Sequence, residues 1–93
     1  NGDKIHVQLL YKDGNGKYIT GVSGAKAVSV LTDSAIGTNK LYMAVYKNGL
    51  MDELKQVQPD TEYNLSQELL NGNVVKLFVF DENDNFRYLA DID

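Results

Sequence analysis

The chain has 93 residues, 13 acidic and 9 basic groups, one His, one Pro, no Trp and no Cys. That length allows one small domain, residues 1–93, and the missing cysteines exclude disulfide staples, thiolate metal sites and Cys nucleophiles together. A net charge of −4 argues against a nucleic-acid binder, the single histidine excludes His-cluster metal sites, and no apolar run approaches the roughly 20 residues of a helical membrane span.

Apolar alternation dominates the chain from its start. Ile5, Val7, Leu9 and Tyr11 alternate with Lys4, His6, Gln8 and Leu10, which is strand period. Asp13-Gly14-Asn15-Gly16 is rich in residues that reach positive φ without strain and predicts a turn. Tyr18-Ile19-Thr20 resumes a β-favouring run, and Gly21 and Gly24 bracket the next break. Lys26 to Thr32 is a second extended segment, in which Val28 and Val30 compete with Ala27, Ser29 and Leu31 for the inner face. Asp33 to Asn39 is polar and reads as a turn region.

Lys40 to Lys47 is the next strand, with Leu41, Met43 and Val45 on one side and Tyr42, Ala44 and Tyr46 on the other. Asn48-Gly49 predicts a tight hairpin, because a type I′ turn needs positive φ at both centres. Leu50 to Gln58 reads two ways: Leu50, Leu54 and Val57 fit helical spacing as well as a strand. Pro59-Asp60 ends it, and Thr61, Tyr63 and Leu65 form a short half-buried strand. Asn71-Gly72-Asn73 turns the chain into Val74 to Phe80, the most apolar strand. The polar turn Asp81 to Asn85 and a last strand, Phe86 to Ile92, close the chain.

About seven strands with turn signals every 8–12 residues read as an all-β, two-sheet antiparallel sandwich. The expected core is Ile5, Val7, Leu9, Val28, Val30, Leu41, Met43, Val45, Leu65, Val75, Leu77, Val79 and Leu89. An open barrel, or an α+β variant with a helix over 50–57, is the alternative.

Four pieces in order carry a resemblance. They are the Asp/Gly-rich stretch Asp13 to Lys17, Gly24 before an alternating strand, Met43-Ala44-Val45-Tyr46-Lys47-Asn48-Gly49, and Val75 to Asp81. With them the chain resembles the fibronectin-III- or immunoglobulin-like accessory domains of secreted and cell-surface proteins of Gram-positive bacteria. Phe80 stands where that pattern usually has Trp, and Tyr88 where it usually has Pro. The resemblance implies a non-catalytic structural module, secreted or at the cell surface, often beside polysaccharide-degrading or anchoring domains. A chain that opens at Asn1 without a signal-peptide pattern is then expected to be a processed chain or an excised domain.

The candidate site is aromatic. If the strands alternate as read, Tyr42, Tyr46, Phe78, Phe80 and Tyr88 share one outer sheet face. A contiguous apolar patch marks a contact surface. It would serve a neighbouring domain or surface partner, or alternatively a polysaccharide, while edge strands could recruit a partner by strand addition. Asp81, Asn83 and Asn85 match the first three ligand positions of a calcium loop, but Phe86 and Ile92 replace the Gly and Glu that loop needs. A turn explains the same residues, so no cofactor or metal is expected. The Gly14, Gly16, Gly21, Gly24 series lacks the Gly-Lys-Ser/Thr of a phosphate loop. His6 lies on a polar strand face with no Ser or Cys placed to be activated, and no enzyme activity is expected.

Overall fold

The computed structural model describes residues 4–32 and 35–93. Among these residues the chain forms nine strands and no helix. They are β1 (His6–Lys12), β2 (Tyr18–Ile19), β3 (Ala27–Thr32), β4 (Lys40–Lys47), β5 (Leu50–Val57), β6 (Thr61–Asn64), β7 (Val74–Phe80), β8 (Phe86–Leu89) and β9 (Asp91–Ile92). One sheet has the order β2-β1-β3-β6, with β9 also on β1; the other has the order β5-β4-β7-β8. All pairings are antiparallel except β1 with β9. The fold is an all-β, two-sheet sandwich. The stretch 50–57 is a strand, not a helix: its partner β4 supplies a full ladder from Leu41↔Val57 to Lys47↔Leu50. Part of the predicted turn over Asp33 to Asn39 lies outside the described residues.

The core follows the strand period. Val7 of β1, Val28 and Val30 of β3, Leu41, Met43 and Val45 of β4, and Val75, Leu77 and Val79 of β7 are buried between the sheets. The ambiguity in β3 resolves in favour of its valines, because Val28 and Val30 pair in register with the inward Tyr11 and Leu9 of β1. Leu9 is only partly buried at the margin of the core. Ala25, Val57, Leu69 and Ala90 join the core without having been expected there. Leu69 sits on the long crossing from β6 to β7. Its N–H donates to the Ala25 carbonyl at 2.8 Å, and its carbonyl accepts from Gly24 N at 2.8 Å. This bridge pins a loop residue across the end of the sandwich and satisfies backbone groups that burial would otherwise strand.

Leu89 corrects the expected core. It is 43% exposed and lies on the outer face, opposite Phe78. The reason is a bulge in β8. Val79 pairs with Tyr88 but Phe80 pairs with Phe86, leaving Arg87 as an extra residue. The pleat is therefore shifted by one residue: Tyr88 turns inward and Leu89 outward. Tyr88 packs against the core, and its hydroxyl accepts a hydrogen bond from Ile5 N at 3.2 Å, linking the two sheets. Beyond Ala90 the chain leaves β8 and joins the other sheet, where Asp91 N donates to Ile5 O and Asp93 N donates to Val7 O.

Two outcomes are expected in urea unfolding. Leu77→Ala empties the centre of the core and lowers stability by about 2–5 kcal/mol. Tyr88→Phe leaves the Ile5 N–H without that acceptor and costs about 1 kcal/mol; a change indistinguishable from zero would return Tyr88 to the outer surface.

Candidate functional site

The two outer faces of the sandwich differ in character. On the β1–β3–β6 side, His6, Gln8, Ser29, Glu62 and Asn64 point outward together with Leu10 and Leu31, and Lys12 pairs with Glu62 at 2.9 Å. His6 stands 3.7 Å from Asp91 and 3.9 Å from Asp93 on this side. The β5–β4–β7–β8 side is aromatic and aliphatic. Its middle holds an open hollow of about 380 Å³, lined by Tyr42, Met51, Leu54, Phe78, Phe80, Asp84 and Phe86.

Register explains how these residues meet. Tyr42 of β4 lies opposite Phe78 of β7 and Gln56 of β5. Phe80 and Phe86 face one another across β7 and β8, and Leu54 pairs with Ala44. Met51 reaches this face through a second bulge: Val45 pairs with Glu53 but Tyr46 pairs with Met51, so Asp52 is the extra residue. The outermost strand on each side of this sheet thus carries a bulge: the one in β5 brings Met51 to the hollow, and the one in β8 leaves Phe86 there while turning Tyr88 away.

The rings meet edge to face. Tyr42 and Phe80 are 5.2 Å apart at 71°, Phe80 and Phe86 are 5.7 Å apart at 72°, and Phe78 and Phe86 are 6.0 Å apart at 69°. Such pairs are favourable because the positive ring edge meets a negative face. The hollow nevertheless stays open to water: Met51, Leu54 and Phe86 are about half exposed. Asp84 is the only charged residue of the lining among the described residues. Its Oδ1 accepts from Lys40 Nζ at 2.7 Å, and that bond holds the Lys40 ammonium above its usual pKa.

Of the five aromatic residues expected on this face, the structure brings three together: Tyr42, Phe78 and Phe80. Tyr46 shares the outer face but lies apart, with Lys76 Nζ 4.9 Å from its ring centre. Tyr88 is not on this face; the β8 bulge turns it into the core. Sequence reasoning missed Met51, Leu54, Asp84 and Phe86: a bulge that leaves no mark in the apolar pattern turns Met51 outward, Leu54 fits helical spacing as well as a strand, Asp84 sits in a turn, and Phe86 opens the short last strand. No protein-family model matches this chain, and no curated protein or solved structure is significantly similar to it.

The loop Asp81 to Asn85 satisfies itself. Asp81 Oδ1 accepts from Asn83 N at 2.8 Å and from Asn85 N at 2.9 Å, and Asn85 Nδ2 lies 3.4 Å from Oδ2. Asp81 N donates to Asn85 O, Asp84 N donates to Asp81 O, and Asp84 carries φ 64°. The Asp13 loop has the same pattern. Asp13 Oδ1 accepts from Asn15 N and Lys17 N, Asp13 N donates to Lys17 O, Gly16 N donates to Asp13 O, and Gly16 carries φ 81°. Two hairpins thus use one carboxylate device, Asp-x-Asn with a left-handed fourth residue. That accounts for Asp81, Asn83 and Asn85 as turn chemistry. No cluster of three or more metal-ligating side chains occurs among the described residues.

Backbone N–H groups hold both carboxyls below the usual Asp pKa, those of Lys17 and Asn15 for Asp13 and that of Asn85 foremost for Asp81. A depressed folded pKa adds stability above the unfolded value of about 3.9, and this is lost as pH falls through the folded value. The melting temperature is therefore expected to drop more steeply below about pH 4 in the parent than in a double variant Asp13→Ala, Asp81→Ala. Parallel acid curves for the two proteins would contradict the role assigned to these loops.

Proposed function

We propose that this chain is a non-catalytic accessory domain that docks a neighbouring domain or surface partner through the β5–β4–β7–β8 face. The observation that carries the reading is the open hollow in which Tyr42, Phe78, Phe80, Phe86, Met51 and Leu54 are gathered on one exposed sheet surface. The opposite face has no such gathering: its aliphatic Leu10 and Leu31 are set among His6, Gln8, Ser29 and Glu62. Leaving large apolar groups in water costs free energy that a docked partner recovers, at about 25 cal/mol per Å² covered.

The chain path supports the likeness to fibronectin-III and immunoglobulin domains. It leaves the first sheet after β3, returns for β6, and leaves again for β7 and β8, as in a Greek-key sandwich. With that likeness comes the expectation of a secreted or cell-surface parent. Carbohydrate is the weaker occupant. A sugar ring stacks on a flat platform and needs polar neighbours for its hydroxyls, whereas these rings stand at about 70° to one another with one carboxylate among them. Strand addition at β5 is also disfavoured. Glu53 and Lys55 point inward from that edge, a device that discourages pairing with another chain. Lys55 in addition reaches across to the Asn64 carbonyl of the other sheet at 3.3 Å.

A solvent-sensitive apolar dye tests the reading. The neutral dye Nile red should brighten with the native protein, and the double variant Leu54→Ser, Phe80→Ser should lose most of that signal while keeping a cooperative melt. No brightening by the native protein would remove the docking face. In affinity electrophoresis, retardation by a polysaccharide that the same variant abolishes would favour carbohydrate instead.

A further inference from the structure

The lining of the hollow restricts what can occupy it beyond simple greasiness. Tyr42, Phe80 and Phe86 form successive edge-to-face pairs, so their planes are steeply inclined to one another and form no single flat platform. Met51 and Leu54 close the β5 side with aliphatic surface. One carboxylate, Asp84, stands at the lip. An ordinary ammonium or guanidinium carries several N–H donors, and this lining offers them only Asp84 and the Tyr42 hydroxyl as side-chain acceptors among the described residues. A neutral apolar group avoids that cost but gains nothing from the carboxylate or from the negative ring faces. A cation without N–H groups meets both conditions: its methyl groups pack on aromatic and aliphatic carbon, and its diffuse positive charge is attracted by the rings and by Asp84.

We infer that the hollow binds a trimethylammonium group of the choline type, carried on a water-soluble compound. The lip carries charges of both signs, Asp81, Glu82 and Asp84 against Lys40 and Arg87, with the acidic groups in excess, as they are in the chain as a whole at −4. Lys40 is not among the lining residues; its bond to Asp84 Oδ1 anchors the carboxylate at the edge. Tyr46 already shows the same attraction within the molecule, since Lys76 places its ammonium 4.9 Å from that ring. This inference rests on the docking face proposed above and names the chemistry its centre accepts.

The decisive comparison is between choline and its uncharged carbon isostere, 3,3-dimethylbutan-1-ol, each titrated while the ring signals of Phe80 and Phe86 are followed by NMR. Choline should bind about tenfold more tightly than the alcohol, as expected for a cation over several ring faces. Phe80→Leu, which keeps apolar volume but removes a ring, should weaken choline severalfold and leave the alcohol unchanged. Asp84→Asn should weaken choline in the same direction, with its melt recorded because Lys40 loses a partner. Equal or tighter binding of the alcohol overturns the inference while the docking face stands. Failure of choline to bind, with the apolar dye still bound, does the same; failure of the dye as well removes both. Binding to phosphatidylcholine vesicles without any response to free choline also overturns it and makes the face a membrane-contact surface.

Discussion

The two-residue period of a single central strand governs this molecule. β7 lies between β4 and β8 and is covered on both sides of its sheet in different ways. Val75, Leu77 and Val79 fill the middle of the core, while Phe78 and Phe80 line the hollow outside. A slip of one residue would exchange the two sets, placing rings in a core shaped for valine and leucine. With no cysteine in the chain, no disulfide ties the two sheets together. Core packing and candidate site are therefore two readings of one register, and conditions that loosen the first disperse the second.

The outer strands of the same sheet explain which parts of the fold were legible in the sequence. Alternation in β1, β4 and β7 and the turn residues at Asp13, Asn48, Asn71 and Asp81 are strong local signals, and the strands and turns follow them. Most expected core residues are buried for the same reason. The exceptions cluster where one extra residue enters a strand. Arg87 exchanges the faces of Tyr88 and Leu89, and Asp52 brings Met51 outward. Neither residue differs in type from its exposed neighbours, so alternation continues across the bulge on paper while it breaks in space. The candidate site was half visible because its centre lies on regular strands and its rim on bulged ones. Leu69 was missed on other grounds: it is buried by the path of a loop, which no local period encodes.

The two Asp-led loops show how much of the topology is set by short-range chemistry. In each, one carboxylate gathers two backbone N–H groups within four residues of itself. The second of these loops also carries Asp84 to the lip of the hollow. A polar turn built for hairpin geometry thus supplies a charge to a lining that is otherwise aromatic and aliphatic among the described residues. The same residues that suggested a metal loop are engaged in holding backbone, and the carboxylate left facing the site comes from the residue between them.

The parallel contact between β1 and β9 has a mechanical consequence. These strands come from opposite ends of the described chain and run in the same direction side by side. Tension applied ahead of β1 and beyond β9 pulls the two along their length in opposite senses. The bonds from Asp91 to Ile5 and from Asp93 to Val7 then lie across the load and are sheared together rather than opened one after another. Ile5 is held a second time by the Tyr88 hydroxyl, so the same residue ties this seam to the other sheet. In a chain placed between anchored neighbours, this short seam is where a pull would first be resisted.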